Sequence, residues 1–270
     1  MGPRAVARRR PAVIVWVIAG LALALLVLPV LGLLLSAPWP ALPALLVAPE
    51  TLQALGLSVL TGLVSTALCL VLGIPLAVVL ARSVAWPVVP RRVLRAAVTT
   101  PLVLPPVVGG LALLLLLGRN GVLGRYLAAV GITIPFTTGA VVIAQTFVAM
   151  PFLVFAVEGA LRGADRRVER AAASLGASPL RVFRTVTIPL VAPGIAAGAV
   201  LCFARALGEF GATITFAGSY PGVTRTLPIA SYLASQTDLD QSIALALVLL
   251  VVSVAVLLGL RDRWLPGVRG

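Results

Sequence analysis

The sequence predicts an all-α polytopic membrane protein with about six transmembrane helices and one structured polar segment between the fourth and the fifth. Three observations predict it. Hydrophobic residues make up 60% of the chain and charged residues 11%, with a mean hydropathy of +1.13, a composition foreign to soluble globular domains. The apolar residues fall in runs of about 20 or more, long enough to cross the hydrocarbon layer as helices. The net charge of +13 comes from arginines gathered mostly at the ends of those runs, which reads as membrane topology rather than as a nucleic-acid surface.

The first run, about 11 to 37, follows Arg4, Arg8, Arg9 and Arg10. It is about twice the length of a signal-peptide core, so it reads as an uncleaved span with its N-terminus inside. A proline-rich stretch reaching Glu50 then lies outside, with Trp39 as an interface anchor. Residues 1–51 thus form a unit of cytoplasmic start, first span and outer loop. The second span covers about 52 to 81, and an inner loop carries Arg82, Arg91, Arg92 and Arg95.

The third span, about 93 to 117, contains TTPLVLPPVVGG. Pro101, Pro105 and Pro106 lack the amide hydrogens a helix needs, and Gly109 and Gly110 follow, so the backbone ladder must break or distort here. Broken backbone at membrane depth persists only against protein or a water-lined cavity, which makes Pro105, Pro106 and Gly109 candidates for a transport pathway. A packing kink with no transport role is the other reading.

Residues 118–138 return outside through a Gly-Arg-Asn-Gly turn, with room for a short helix along the interface. The fourth span covers about 139 to 161 and is expected to be interrupted at Pro151. The fifth covers about 190 to 217, and the sixth about 242 to 260, followed by a short cytoplasmic tail, 263–270, with Arg261, Arg263 and Arg269 nearby. Assigned this way, 17 of the 21 arginines lie inside, Arg119, Arg125 and Arg225 lie outside, and Arg205 is within the membrane. Both termini are therefore expected in the cytoplasm.

Between the fourth and fifth spans runs RGADRRVERAAASLGASPLRVFRTVTIPLVAP, residues 162–193. Asp165 can cap a helix that Gly176 stops. Ala171, Ala172 and Ala173 leave that helix nearly bare of bulk, and arginines rim it, a shape able to seat in another protein's groove. A second short helix, 178–188, leads to Pro189 and completes an elbow. A basic loop that only holds membrane orientation is the bland alternative.

The elbow resembles the cytoplasmic loop of importer-type ABC transporter permeases, Glu-Ala-Ala, three residues, Gly, nine residues, Ile-x-Leu-Pro. Here Arg170-Ala171-Ala172 precede Gly176 by three residues, and nine more lead to Val186-Thr187-Ile188-Pro189. Arg170 stands at the glutamate position, with Glu169 one place earlier. The resemblance implies that Glu169, Arg170, Ala171, Ala172, Gly176, Ala177 and Pro189 form an ATPase-coupling loop, 162–189, within a permease domain spanning 52–262.

The fifth span carries Arg205 and Glu209 four residues apart in FARALGEFGATITFAG. Ionised groups in an apolar helix pair with one another or line an aqueous path. One reading is a pair that holds helices together; the other is that Arg205 meets a passing anion while Glu209 limits how tightly it is held. Gly208, Gly211 and Gly218 permit close approach, and Thr213 and Thr215 add hydroxyls. This stretch, with Pro221-Gly222, Thr224, Thr226 and Leu227-Pro228 after it, resembles the molybdate permease subgroup, as does PLVLPPVVGGLALLLLLG in the third span. Sulfate permeases tend to read Glu-Tyr-Gly-Ser where this chain has Glu209-Phe210-Gly211-Ala212.

The resemblance implies a homodimer in the cytoplasmic membrane, a dimer of cytoplasmic ABC ATPases on its inner loops, and an extracytoplasmic molybdate-binding protein. It implies a pathway through Pro105, Pro106, Gly109, Arg205, Glu209, Gly211, Thr213, Thr224 and Thr226. Sulfate or tungstate as substrate, or a secondary anion carrier driven by an ion gradient, are the alternatives. Without lysine the chain cannot form a Gly-Lys-Ser/Thr phosphate loop, so ATP and magnesium are expected on a partner. Without histidine it has no imidazole for acid–base work or zinc. No catalytic residue, metal or cofactor is expected in this chain, and Cys69 and Cys202 read as small buried side chains.

Overall fold

The computed structural model describes residues 13–264, so Arg4, Arg8, Arg9, Arg10, Arg269 and all but the start of the tail lie outside the described residues. Within them the chain forms thirteen α-helices and no strand. They are α1 (Val13–Leu35), α2 (Leu42–Val47), α3 (Pro49–Arg82), α4 (Val88–Val103), α5 (Pro106–Leu117), α6 (Gly124–Ala129) and α7 (Thr138–Gly163). Then follow α8 (Arg166–Ser174), α9 (Pro179–Val182), α10 (Ile188–Leu207), α11 (Gly211–Ala217), α12 (Leu227–Ala234) and α13 (Leu239–Trp264). Five single helices are long and apolar enough to cross a membrane, and α4 with α5, bent by 115° at their junction, make a sixth crossing when counted as one broken span.

The centre of the bundle is α3, α7 and α10. In lipid there is no hydrophobic gain from bringing apolar helices together, so small faces that allow close van der Waals approach decide the packing. The buried face of α3 reads Ser58, Thr61, Gly62, Ser65, Thr66, Cys69, Gly73 and Ala77, the spacing of one helical stripe. On α10, Gly194 and Gly198 lie against Ala160 and Ala156 of α7. Two hydroxyls of that face find carbonyls: Thr66 Oγ1 donates to the Gly62 carbonyl of its own helix at 2.8 Å, and Ser65 Oγ donates across to the Val142 carbonyl of α7 at 3.1 Å. In contrast, α1 has no buried residue and meets the rest of the chain near its C-terminal end, where Leu33 and Leu34 pack with Ile243 and Leu247 of α13.

Most expected spans are in place, and α6 supplies the short helix expected in 118–138. Three expectations are corrected. Pro151 does not interrupt the fourth span, because α7 runs through it and the residue is buried in the central packing, where neighbouring helices hold the weakened turn. The second elbow helix is not separate from the fifth span: α9 continues through a π-helical turn, Phe183–Thr187, into α10, making one span from Pro179 to Leu207. Pro189 gives the reason, since it cannot donate to the turn below; the turn widens and the Ile188 amide reaches back to the Phe183 carbonyl. The fifth span does not continue unbroken to 217 but stops at Leu207 and resumes as α11. The segment after it holds a further short helix, α12, opened by a proline in its first turn.

Candidate translocation and docking sites

Two interruptions of helix meet in the bundle. The third span breaks at Leu104 and Pro105, as its prolines require, and α5 begins at Pro106. The fifth span breaks at Gly208, Glu209 and Phe210, and α11 begins at Gly211. A Cβ on Gly211 would stand 2.8 Å from Pro106 Cβ, and one on Gly110 would stand 2.6 Å from the Ala212 carbonyl oxygen. Both distances are below any real Cβ contact, so the two half-helices lie backbone to backbone only because these positions are glycine. Gly109, next to this seam, faces the Phe147 ring of α7.

Arg205 sits in the last turn of α10, and its Nη2 lies 2.6 Å from Glu209 Oε2. The other carboxylate oxygen, Oε1, accepts the Ala212 amide at 2.8 Å. Glu209 therefore closes the break: one oxygen neutralises the cation behind it, and the other satisfies an amide at the start of α11 that has no helical partner. The Glu209 side chain is 1% exposed and that of Arg205 is 27%. The carboxylate is fixed in the protein while the guanidinium keeps an open side, an arrangement in which an entering anion can share Arg205 with Glu209. Phe210 turns the other way, its ring 4.9 Å from that of Tyr232 on α12.

The remaining pathway candidates divide. Thr213 on α11 is fully buried with its hydroxyl unpaired, and so is Thr226, the N-cap residue of α12. Pro105 is exposed at the N-cap of α5. Thr224 is fully buried as well, but its Oγ1 accepts the Tyr220 amide at 2.8 Å and so closes its own turn. The structure thus unites Pro106, Gly211, Arg205 and Glu209, while the Thr224 hydroxyl is engaged locally.

The elbow is built from local caps. Asp165 accepts the Arg167 amide at 2.8 Å to start α8, and Ser178 accepts the Arg181 amide at 3.4 Å to start α9. Between them Gly176 adopts φ +87°, a left-handed conformation that strains residues with a Cβ. Glu169 Oε1 accepts the Thr187 hydroxyl at 2.6 Å, which ties α8 to the π turn. Arg170, Ala171 and Pro189 are exposed, Ala172 and Ala177 are half-buried, and Leu175 is 89% exposed at the tip. Leu180 and Val168 of the same elbow are exposed too, and exposed apolar side chains gathered on one short segment are a feature of contact surfaces.

One ionic group was not singled out from the sequence. Glu158, buried near the end of α7, binds Arg95 of α4 and Arg162 of α7 at 2.5 and 2.6 Å. Its signal was present, since an acid in an apolar run with an arginine four residues on is the same pattern that flagged Glu209.

Residues 73–266 match the family described as the inner membrane component of binding-protein-dependent transport systems. The molybdenum transport system permease protein ModB of Mycobacterium tuberculosis is 53% identical over 236 residues, 87% of this chain and 88% of that protein. The protein of the same name from Escherichia coli strain K12 is 45% identical over 176 residues, 65% of this chain and 77% of that one. A solved bacterial alginate ABC transporter in complex with an alginate-bound periplasmic protein aligns with a TM-score of 0.65 at 16% identity, over 91% of this chain and 92% of that one, a likeness of fold.

Proposed function

The chain belongs to the inner membrane components of binding-protein-dependent transport systems, of the ABC importer type, and we propose that it is the translocation subunit of an ATP-driven importer that carries molybdate across the cytoplasmic membrane. The observation that carries this is the elbow. A capped helix–turn–helix between two spans, tipped by an exposed Leu175, is a socket for another protein on a chain that lacks the lysine of a phosphate-binding loop. The partner that fits is a pair of cytoplasmic ATPase subunits holding ATP and magnesium, seated on the elbows of two copies of this chain. The arginine distribution supports cytoplasmic termini and an inward elbow.

Molybdate is favoured by the 53% and 45% identical relatives, whose names specify molybdenum transport. An extracytoplasmic protein would deliver the oxyanion. Within the bundle, Arg205 would meet it where the two broken spans abut, and Glu209 would keep the grip weak by competing for the same guanidinium. A site that binds a dianion tightly would slow its release.

The test is uptake into vesicles containing this chain, its ATPase and its binding protein. Molybdate accumulation that requires ATP and exceeds that of sulfate is the expected result. Uptake without the ATPase, driven by an ion gradient, would make the chain a secondary carrier; a preference for sulfate would overturn the substrate.

A further inference from the structure

We propose that Glu158 is a positioning residue that yokes the pathway break to the docking elbow; this rests on the importer reading above. Among the described residues Glu158 and Glu209 are the buried carboxylates. Glu158 Oε1 lies 2.5 Å from Arg95 Nη2 on α4 and 2.6 Å from Arg162 Nη2, one turn further along α7. Beyond Arg95, α4 runs directly to the break at Leu104 and Pro105. Beyond Arg162, α7 ends at Gly163, and Asp165 caps α8 of the elbow. A single oxygen therefore joins the helix that carries the break to the helix that carries the elbow.

The rest of the α4 contact is apolar. Val98 and Leu94 belong to one apolar cluster with Leu153 and Val157 of α7, and such contact is non-directional and permits sliding. Charge-assisted hydrogen bonds fix distance and direction. The Arg95 guanidinium also lies 6.0 Å from the centre of the Phe155 ring, so it is held toward α7 from two sides. Arg162 serves a different end: lying against the same oxygen from within α7, it holds the carboxylate on its own helix. Neutralising a buried carboxylate needs one cation; the second, on another helix, makes the link. Both arginines remain nearly half exposed, 45% and 49%, against 5% for Glu158, so solvent supports the surplus positive charge.

The experiment uses the full complex in vesicles and measures molybdate uptake and ATP hydrolysis together. Arg95→Gln is the informative variant, because Glu158 keeps Arg162 and no buried carboxylate is stranded. Molybdate moved per ATP should fall by about tenfold in Arg95→Gln and in Glu158→Gln, with the double variant no worse than either. Arg92→Gln, an exposed neighbour on α4, should leave the ratio unchanged. A spin label at Val103, the exposed end of α4, should change its spectrum with nucleotide in the unmodified complex and lose that change in Arg95→Gln. An unchanged ratio in Arg95→Gln, or a parallel fall of uptake and hydrolysis, overturns the yoke alone. An unmodified complex whose uptake ignores ATP overturns the importer reading and the yoke with it.

Discussion

Glu209 and Glu158 are both buried, and both are held by an arginine four positions away on the chain, yet they do different work. Glu209 gives one oxygen to Arg205 and the other to the Ala212 amide, so it joins the two halves of one broken span. Glu158 gives one oxygen to two guanidiniums on two helices, so it joins separate spans. The first site balances one cation and leaves that cation 27% exposed. The second holds an excess of positive charge at the end of the bundle, where water can carry it. Pairing alone does not reveal role; the second partner of each carboxylate does.

The sharpest way to break this comparison is Arg205→Ala. It removes the arginine from a carboxylate that is 1% exposed, and stranding a buried charge costs about 3–5 kcal/mol. Molybdate uptake should be abolished and the melting temperature in detergent should fall, while Arg225→Ala, whose guanidinium donates only to Ser219 among the described residues, should stay near the parent. Adding Glu209→Gln to Arg205→Ala should restore stability without restoring uptake. Recovery of both would reduce the Glu209 site to a structural pair.

Gly110→Ala probes the seam that Glu209 closes. The new methyl meets the Ala212 carbonyl and Thr215 Cβ, and overpacking of this kind costs about 1–3 kcal/mol. Uptake should drop with it, whereas Gly159→Ala, which has open space around it, should be neutral in the same thermal melt and uptake assay.

Gly176→Val sharpens the contrast from the elbow side. Its φ of +87° costs a side-chain-bearing residue about 1–2 kcal/mol, and a Cβ there meets nothing within 4 Å. Hydrolysis should continue while uptake per ATP falls, with a drop of only a few degrees in the melting temperature. The smallest effect is expected for Ser58→Ala, which deprives the Leu227 amide of a 2.7 Å acceptor. A loss of about 1 kcal/mol in the melt, with uptake per ATP intact, would mark the α3–α12 contact as structural only.

How much of this was legible depends on whether the cause lay in the chain or in the packing. Pro105 and Pro106 announced the break in the third span because a missing amide hydrogen is visible in any context. Asp165 and Gly176 announced the elbow because caps are local. The break after Leu207 has no proline; it exists because the Glu209 carboxylate folds onto the Ala212 amide, and helical spacing alone favoured an unbroken run. Thr224 and Thr213 look alike as residue types and are both buried, and only the fold separates the one whose hydroxyl closes a turn from the one left without a partner among the described residues. Pro151 sends the opposite lesson: the strongest local helix breaker was overruled by the helices packed around it.

The π turn has one more consequence, for gearing. Because it joins α9 to α10 without breaking the helix, Pro179 to Leu207 is one continuous piece of 29 residues, about 43 Å long at the helical rise, so that tilting it by about 5° at the elbow would sweep the far end through about 4 Å. Arg205 rides in the last turn of that piece, so a small rotation at the elbow would reach the guanidinium as a displacement of several ångströms.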